Sequence, residues 1–188
     1  MKKTIFALAI AAAIPFAANA EGLSYDSIQV GYMHTDNHDN DGDGWGLKSS
    51  AAITQNFHIF GGYNTQNYDH GHDIEQWNLG VGYNREIARS TDVISRIAFQ
   101  RKETGNGYDF NGYSVEIGAR TAFLANLEGF ATVGWEDYRK KRGINPDSQF
   151  YGRLGMSYAF TKDWAIAADV KLAERGHREW FVGPQFAW

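Results

Sequence analysis

The run QWNLGVGYN, residues 76–84, decides the fold. Trp77, Leu79, Val81 and Tyr83 are apolar, and the interleaved Gln76, Asn78, Gly80, Gly82 and Asn84 are polar or small. A period of two puts successive side chains on opposite faces of a β-strand, whereas a helix needs a recurrence near 3.6. One face of this segment therefore meets an apolar medium and the other meets polar groups or water.

The same alternation extends outward from this run. Tyr113, Val115, Ile117, Ala119, Thr121 and Phe123 stand against Ser114, Glu116, Gly118 and Arg120, and Phe150, Leu154, Met156, Tyr158 and Phe160 against Gln149, Arg153 and Ser157. Trp164, Ile166, Ala168, Val170 and Leu172 oppose Asp169 and Lys171; Trp180, Val182, Pro184, Phe186 and Trp188 oppose Glu179, Gly183 and Gln185. Three segments repeat the pattern at lower contrast: 45–53, 93–99 around Arg96, and 131–135 around Thr132 and Gly134. Two more, near 25–34 and 57–68, read as strands whose facing stays open. The total is ten strands, with eight as the alternative count.

Connections alternate in length. Short ones fall at 55–56, 88–90, 125–126 and 161–163, and longer polar ones at 36–43, 69–73, 104–109, 139–147 and 175–178. An even count, strands of about 9–11 residues and one trim end against one looped end predict an all-β, antiparallel transmembrane β-barrel with short periplasmic turns and longer outer loops. Aromatics at the ends of the apolar faces, among them Trp77, Tyr83, Tyr113, Phe123, Phe150, Trp164 and Trp188, predict two girdles at the membrane–water interfaces. The alternative is a soluble antiparallel barrel with those rings inside.

Composition narrows the function. With no cysteine, thiol catalysis, disulfides and Cys-ligated metal centres are excluded. A formal charge of −4 argues against nucleic acid as a partner. Residues 1–20 combine Lys2 and Lys3, an apolar run and the small-residue site Ala18-Asn19-Ala20, which predicts a cleaved signal peptide ahead of a barrel domain at 21–188. No later apolar run is long enough for a transmembrane helix.

The polar faces carry Lys48, Arg96, Glu116, Arg120, Glu136, Arg153, Asp169 and Lys171, of mixed sign. Lining a narrow lumen, such charges pair, so a wide diffusion pore is not expected. Asp39, Asp41, Asp43 and Gly44 hold a D-x-D-x-D-G spacing, a candidate weak calcium site, although the twelfth position is Ser50 where an EF-hand has Glu. His34, His38, His70, His72 and His177 gather toward the looped end as weaker metal candidates. Arg139, Lys140, Lys141 and Arg142 are candidates for contact with lipopolysaccharide head-group phosphates. Nothing fixes a general base within reach of a nucleophile, so no enzyme is expected and no cofactor beyond that calcium; the omptin proteases share the strand number, but their motifs are not apparent.

Trp180, Val182, Phe186 and Trp188, with Pro184, resemble the C-terminal signal by which the barrel-assembly machinery recognises outer-membrane barrels. LSYD at 23–26, NFHIFGGY at 56–63, QWNLGVGYN at 76–84, NGYSVEIGAR at 111–120, FYGRLG at 150–155 and WFVGPQFAW at 180–188 resemble a family of small outer-membrane proteins put forward as a sulfation-dependent quorum factor and activator of plant immunity. The resemblance spans nearly the whole chain after residue 20. It implies an outer-membrane barrel, shed in vesicles, that signals between cells or meets a host receptor, with Tyr25 as the candidate for sulfation. Read from the residues alone, Tyr25 is an interfacial aromatic opening the first strand. The expected protein is a non-enzymatic, monomeric surface barrel in contact with outer-membrane lipid, with a narrow channel as the alternative.

Overall fold

A computed structural model describes residues 23–37, 41–68, 72–105, 107–140, 146 and 148–188. Residues 1–20, read above as a signal peptide, lie outside the described residues. The strands are β1 (Ser27–Asp36), β2 (Gly42–Ala52), β3 (Phe57–Tyr68), β4 (His72–Ala88), β5 (Thr91–Thr104), β6 (Asp109–Leu124), β7 (Leu127–Tyr138), β8 (Gln149–Ala159), β9 (Trp164–Ala173) and β10 (Arg178–Ala187). Each pairs antiparallel with its sequence neighbours, and β10 returns to pair with β1 from Ser27↔Ala187 to Asp36↔Arg178. The barrel is closed, so no strand edge is left with unpaired N–H and C=O groups, the condition for crossing hydrocarbon with strands. No helix among the described residues is long and apolar enough to cross a membrane.

Parity sets the faces. Leu79, Ile117 and Val133 lie outside at 60%, 56% and 64% exposure, in the places lipid tails occupy. The two strands whose facing was open resolve the same way: Val30, Tyr32, Phe57 and Ile59 are exposed, while Met33, Thr35, His58 and Gln66 are buried inside. Outward aromatics form two rings of contacts. Toward the outer end Trp45–Tyr63, Trp77–Phe99 and Tyr113–Trp135 pack at 5.6, 5.4 and 5.6 Å; toward the trim end Phe57–Tyr83 and Trp164–Phe186 pack at 5.2 and 5.1 Å. Rings with an apolar body and a polar edge are favoured at the two head-group levels.

The interior is narrow enough that glycines make room for large neighbours. A side chain at Gly82 would collide with the His58 ring, and one at Gly155 with Phe130. The glycine content thus serves crowded strands as well as turns.

The loops are shorter than the alternation suggests. Connections at the outer end are 37–41, 69–71, 105–108, 139–148 and 174–177, so only 139–148 is long. The expected loop at 69–73 is a hairpin whose strands stay paired to Tyr68↔His72, and β5 pairs β6 as far as Glu103↔Asp109. Apolar contrast ends where the hydrocarbon would end, but backbone pairing continues beyond it. There polar cross-strand contacts take over, with Arg101 2.7 Å from Glu103 and 3.4 Å from Asp109.

A lipid-facing wall makes a depth-dependent prediction. Ile117→Arg at mid-strand should cost about 2–4 kcal/mol in urea unfolding from lipid vesicles, and Leu124→Arg beside the trim-end turn about 0–1 kcal/mol. Equal costs at the two positions would contradict a hydrocarbon band.

Candidate functional site

The polar site is the lumen, and its charges fall into three tiers. Alternate residues of each strand point inward, so Asp92, Arg96 and Lys102 of β5 mark successive levels from the trim end to the outer end.

At the trim end the segment before β1 turns inside. Tyr25 is 5% exposed and donates its hydroxyl to Asp92 Oδ2 at 2.7 Å. Its ring stacks on His58 at 4.5 Å, with the Arg120 guanidinium 4.9 Å from the ring centre. Arg120 also donates to the Ser24 carbonyl at 2.7 Å and to Glu128 at 2.5 Å, and Asp26 Oδ1 accepts from the Ala52 N–H at 2.7 Å. Burial, then the bond to Asp92, pushes the Tyr25 phenol above its ordinary value, so it stays a donor. Tyr25 is therefore a lumenal residue and not the interfacial aromatic its place in the chain suggests. A carboxylate for its hydroxyl and two partners for its ring outweigh the pull of the interface.

The middle tier joins β5, β6 and β8 and, through Asp169, β9 and β2. Glu116 of β6 accepts the Tyr151 hydroxyl at 2.8 Å and lies 3.9 and 3.8 Å from Arg96 and Arg153. Asp169 of β9 is paired with Lys48 and lies 3.8 Å from Arg153. Beside these pairs is a cavity of about 210 Å³, lined also by the amide side chains of Asn64, Gln76, Asn78 and Gln100. The buried Nε atoms of Arg96 and Arg153 and Oδ1 of Asn64 have no hydrogen-bond partner among the described residues. This space is polar and roomy enough for water to serve them.

The outer tier is tighter. Lys171 donates to both oxygens of Glu136 at 2.8 Å, and Gln149 adds a bond to Glu136 Oε1 at 2.6 Å. Above them a cavity of about 200 Å³ is lined by Lys102, Tyr138, Glu174, His177 and Glu179, among others. His177 lies between β9 and β10. Burial above all, with Lys171 and Lys102 assisting and Glu179 opposing, holds its imidazole below the ordinary value, so it is neutral at pH 7.

The structure thus brings Arg96, Glu116, Arg120, Glu136, Arg153, Asp169, Lys171 and Lys48 into one lumen. The spacing Asp39, Asp41, Asp43 is not a single loop feature. Asp43 is in β2, faces outward, and accepts hydrogen bonds from Tyr32 Oη and from His34 Nδ1, the latter at 2.8 Å. Asp41 accepts the Asn37 N–H at 3.4 Å, and Asp39 lies outside the described residues. His38 and His70 also lie outside them, and among the described residues no group of three or more His, Asp or Glu is placed to hold a metal ion. Arg139 and Lys140 are exposed just beyond β7; Lys141 and Arg142 are outside the described residues. Trp180, Val182 and Trp188 are exposed on the barrel's outer wall, with Phe186 packed between Trp164 and Trp188. Asp92, Lys102, Glu128, His58 and Tyr25 were not read as lumenal from the sequence. Extending the parity of Arg96 along β5 finds Asp92 and Lys102, and extending that of Thr132 along β7 finds Glu128.

The model for the outer membrane protein beta-barrel domain matches residues 4–179. The chain belongs to that family. Solved structures to which the chain is similar include three that are distant in sequence. The β domain of the Bordetella autotransporter BrkA is 12% identical, with 87% of this chain and 99% of that one covered at a TM-score of 0.51. The NanC porin is 8% identical, with 87% and 100% covered at 0.48, and the KdgM porin is 14% identical, with 85% and 99% covered at 0.42. The likeness to the BrkA domain shows the fold alone. No curated protein matches the chain in sequence.

In the lumen of this outer-membrane barrel, breaking a charge pair by removing one partner is costly. Removing the charge of Glu116 leaves Arg96 without a carboxylate partner among the described residues and Arg153 with Asp169 alone. Glu116→Gln should therefore destabilise the barrel by about 3 kcal/mol in vesicle unfolding. A loss below about 1 kcal/mol would mean that lumenal water screens the pair fully.

Proposed function

We propose that the protein is a non-enzymatic, monomeric surface barrel whose lumen is closed and whose working surface is its outer rim. The observation that carries this reading is the pairing of lumenal charges at three levels, mostly between adjacent or next-but-one strands. Tyr25 with Asp92 and Arg120 with Glu128 close the trim end, Glu116 with Arg96 and Arg153 the middle, and Lys171 with Glu136 the outer third. Paired charges filling a narrow barrel leave little path for solutes, and nothing in the tiers aligns a nucleophile with a base.

Residues 1–20 act as the cleaved export signal, and the outward wall of β10, with Trp180, Val182, Phe186 and Trp188, as the strand the assembly machinery reads. Arg139 to Arg142 meet lipopolysaccharide phosphates at the outer rim. Asp41, with Asp39 and Asp43 nearby in sequence, makes at most a weak calcium contact there. A quorum or host-recognition role, as the family resemblance implies, also falls to this rim and to vesicles shed with it. Tyr25 does not serve that role in the folded barrel, because its hydroxyl is buried against Asp92; sulfation there has to precede folding.

A channel is the second reading, favoured by two polar cavities of about 210 and 200 Å³ that share Gln76, Glu136, Lys171 and Glu179 in their linings. Planar-bilayer recording separates the two. Wild-type barrel should give no conductance steps, and the double variant Glu136→Ala, Lys171→Ala should give a small leak. Steps in the wild type as large as those of the variant would establish the channel instead.

A further inference from the structure

At the outer mouth two charges have no ion-pair partner among the described residues, and both line one cavity. Lys102 points inward from β5, between its register neighbours Gln76 of β4 and Phe110 of β6. Among the described residues, no carboxylate lies within 4.0 Å of its ammonium and no hydrogen bond engages it. Glu179 points inward from β10, directly across the register from Lys171. Lys171, however, gives both of its contacts to Glu136, and among the described residues no cation lies within 4.0 Å of Glu179. In the ring of ten strands β5 and β10 are five apart, so the two charges stand on opposite walls. The cavity of about 200 Å³ lies between them and is lined by both.

This departs from the rest of the lumen. Lys48, Arg96, Arg120, Arg153 and Lys171 each have a carboxylate partner, and Asp92 has the Tyr25 hydroxyl. A charge held in a confined, partly desolvated space without a counter-charge is unfavourable. Placing Lys102 and Glu179 apart leaves both ready for a guest. A simple anion entering this space would meet Glu174 and Glu179, and a simple cation would meet Lys102. A molecule with a carboxylate at one end and an ammonium at the other satisfies both walls. His177 is neutral there, and with Gln76 and Tyr138 it offers hydrogen-bonding groups without adding charge.

We propose that the outer vestibule binds a small zwitterion, an amino carboxylate, with its carboxylate on Lys102 and its ammonium on Glu179. The site rests on the closed-lumen reading, since the Lys171–Glu136 link is its floor and holds the ligand at the surface.

The test uses the complete refolded barrel in detergent micelles and isothermal titration with glycine, 4-aminobutyrate and 6-aminohexanoate, a series that varies the separation of the two charges. Butyrate and butylamine are the single-charge controls. At least one member of the series should bind saturably, with both controls about tenfold weaker or more; Lys102→Met and Glu179→Gln should each weaken that ligand by about tenfold or more while keeping the heat-shifted gel mobility of a folded barrel. Absence of saturable binding tighter than about 10 mM by all three amino acids would overturn the site without any variant. So would butyrate binding as tightly as the zwitterion with Glu179→Gln unaffected, which marks a plain anion site. Conductance by the same preparation would overturn the closed lumen while leaving the titration to decide the site, so the two failures are distinguishable.

Discussion

Hydrocarbon offers a peptide N–H no partner, and the architecture follows from that constraint. Every strand must be paired on both sides, which an open sheet cannot arrange, so β10 returns to β1 and the ladder closes. Closure in turn sorts the side chains by parity: odd positions of β4 such as Leu79 and Val81 face lipid, and even positions such as Gln76 and Asn78 face the interior. With ten strands the interior is slim, and inward glycines such as Gly82 and Gly155 yield their space to His58 and Phe130. The polarity of the protein is thereby inverted relative to a soluble barrel.

An interior that is both narrow and polar has to satisfy its own charges. The three tiers do so mostly between adjacent or next-but-one strands, and with longer reach where Lys48 of β2 meets Asp169 of β9 and Tyr25 meets Asp92 of β5. These links add to the closure of the ladder by tying neighbouring strands together inside the lumen. Among the described residues, Lys102 and Glu179, which line the outer cavity, take no part in these pairs. On the proposed reading the working surface is the outer end, where Arg139 and Lys140 are exposed just beyond β7.

The fold was legible in the sequence because parity is a local property. QWNLGVGYN alone gives strand and facing, and Arg96, Glu116, Arg153 and Asp169 declare themselves lumenal by standing between apolar neighbours. Lys102 and Glu128 share that parity, but they lie where the apolar contrast fades toward the strand ends. Which lumenal charge pairs with which was not legible, since it depends on strand order and stagger: Lys171 stands opposite Glu179 in register yet binds Glu136. Tyr25 and Asp43 show a different limit. A tyrosine just before a strand has the composition of a girdle residue, and only the tertiary positions of Asp92, His58 and Arg120 draw it inside. Asp43 belongs to an acidic loop by spacing, but pairing of Gly42 with Thr35 and Tyr68 carries β2 past it and turns it outward to His34.

The central claim is that the apolar face meets lipid and the polar face the lumen. The chain has no cysteine, so single substitutions from Trp77→Cys through Asn84→Cys can each carry a spin label. Collision of those labels with oxygen, which partitions into hydrocarbon, should be high at 77, 79, 81 and 83 and low at the even positions between, in refolded barrel reconstituted in vesicles. The opposite phase, with the odd positions shielded from oxygen and the even ones open to a water-soluble nickel complex, would put the apolar face inside a soluble barrel and contradict the account.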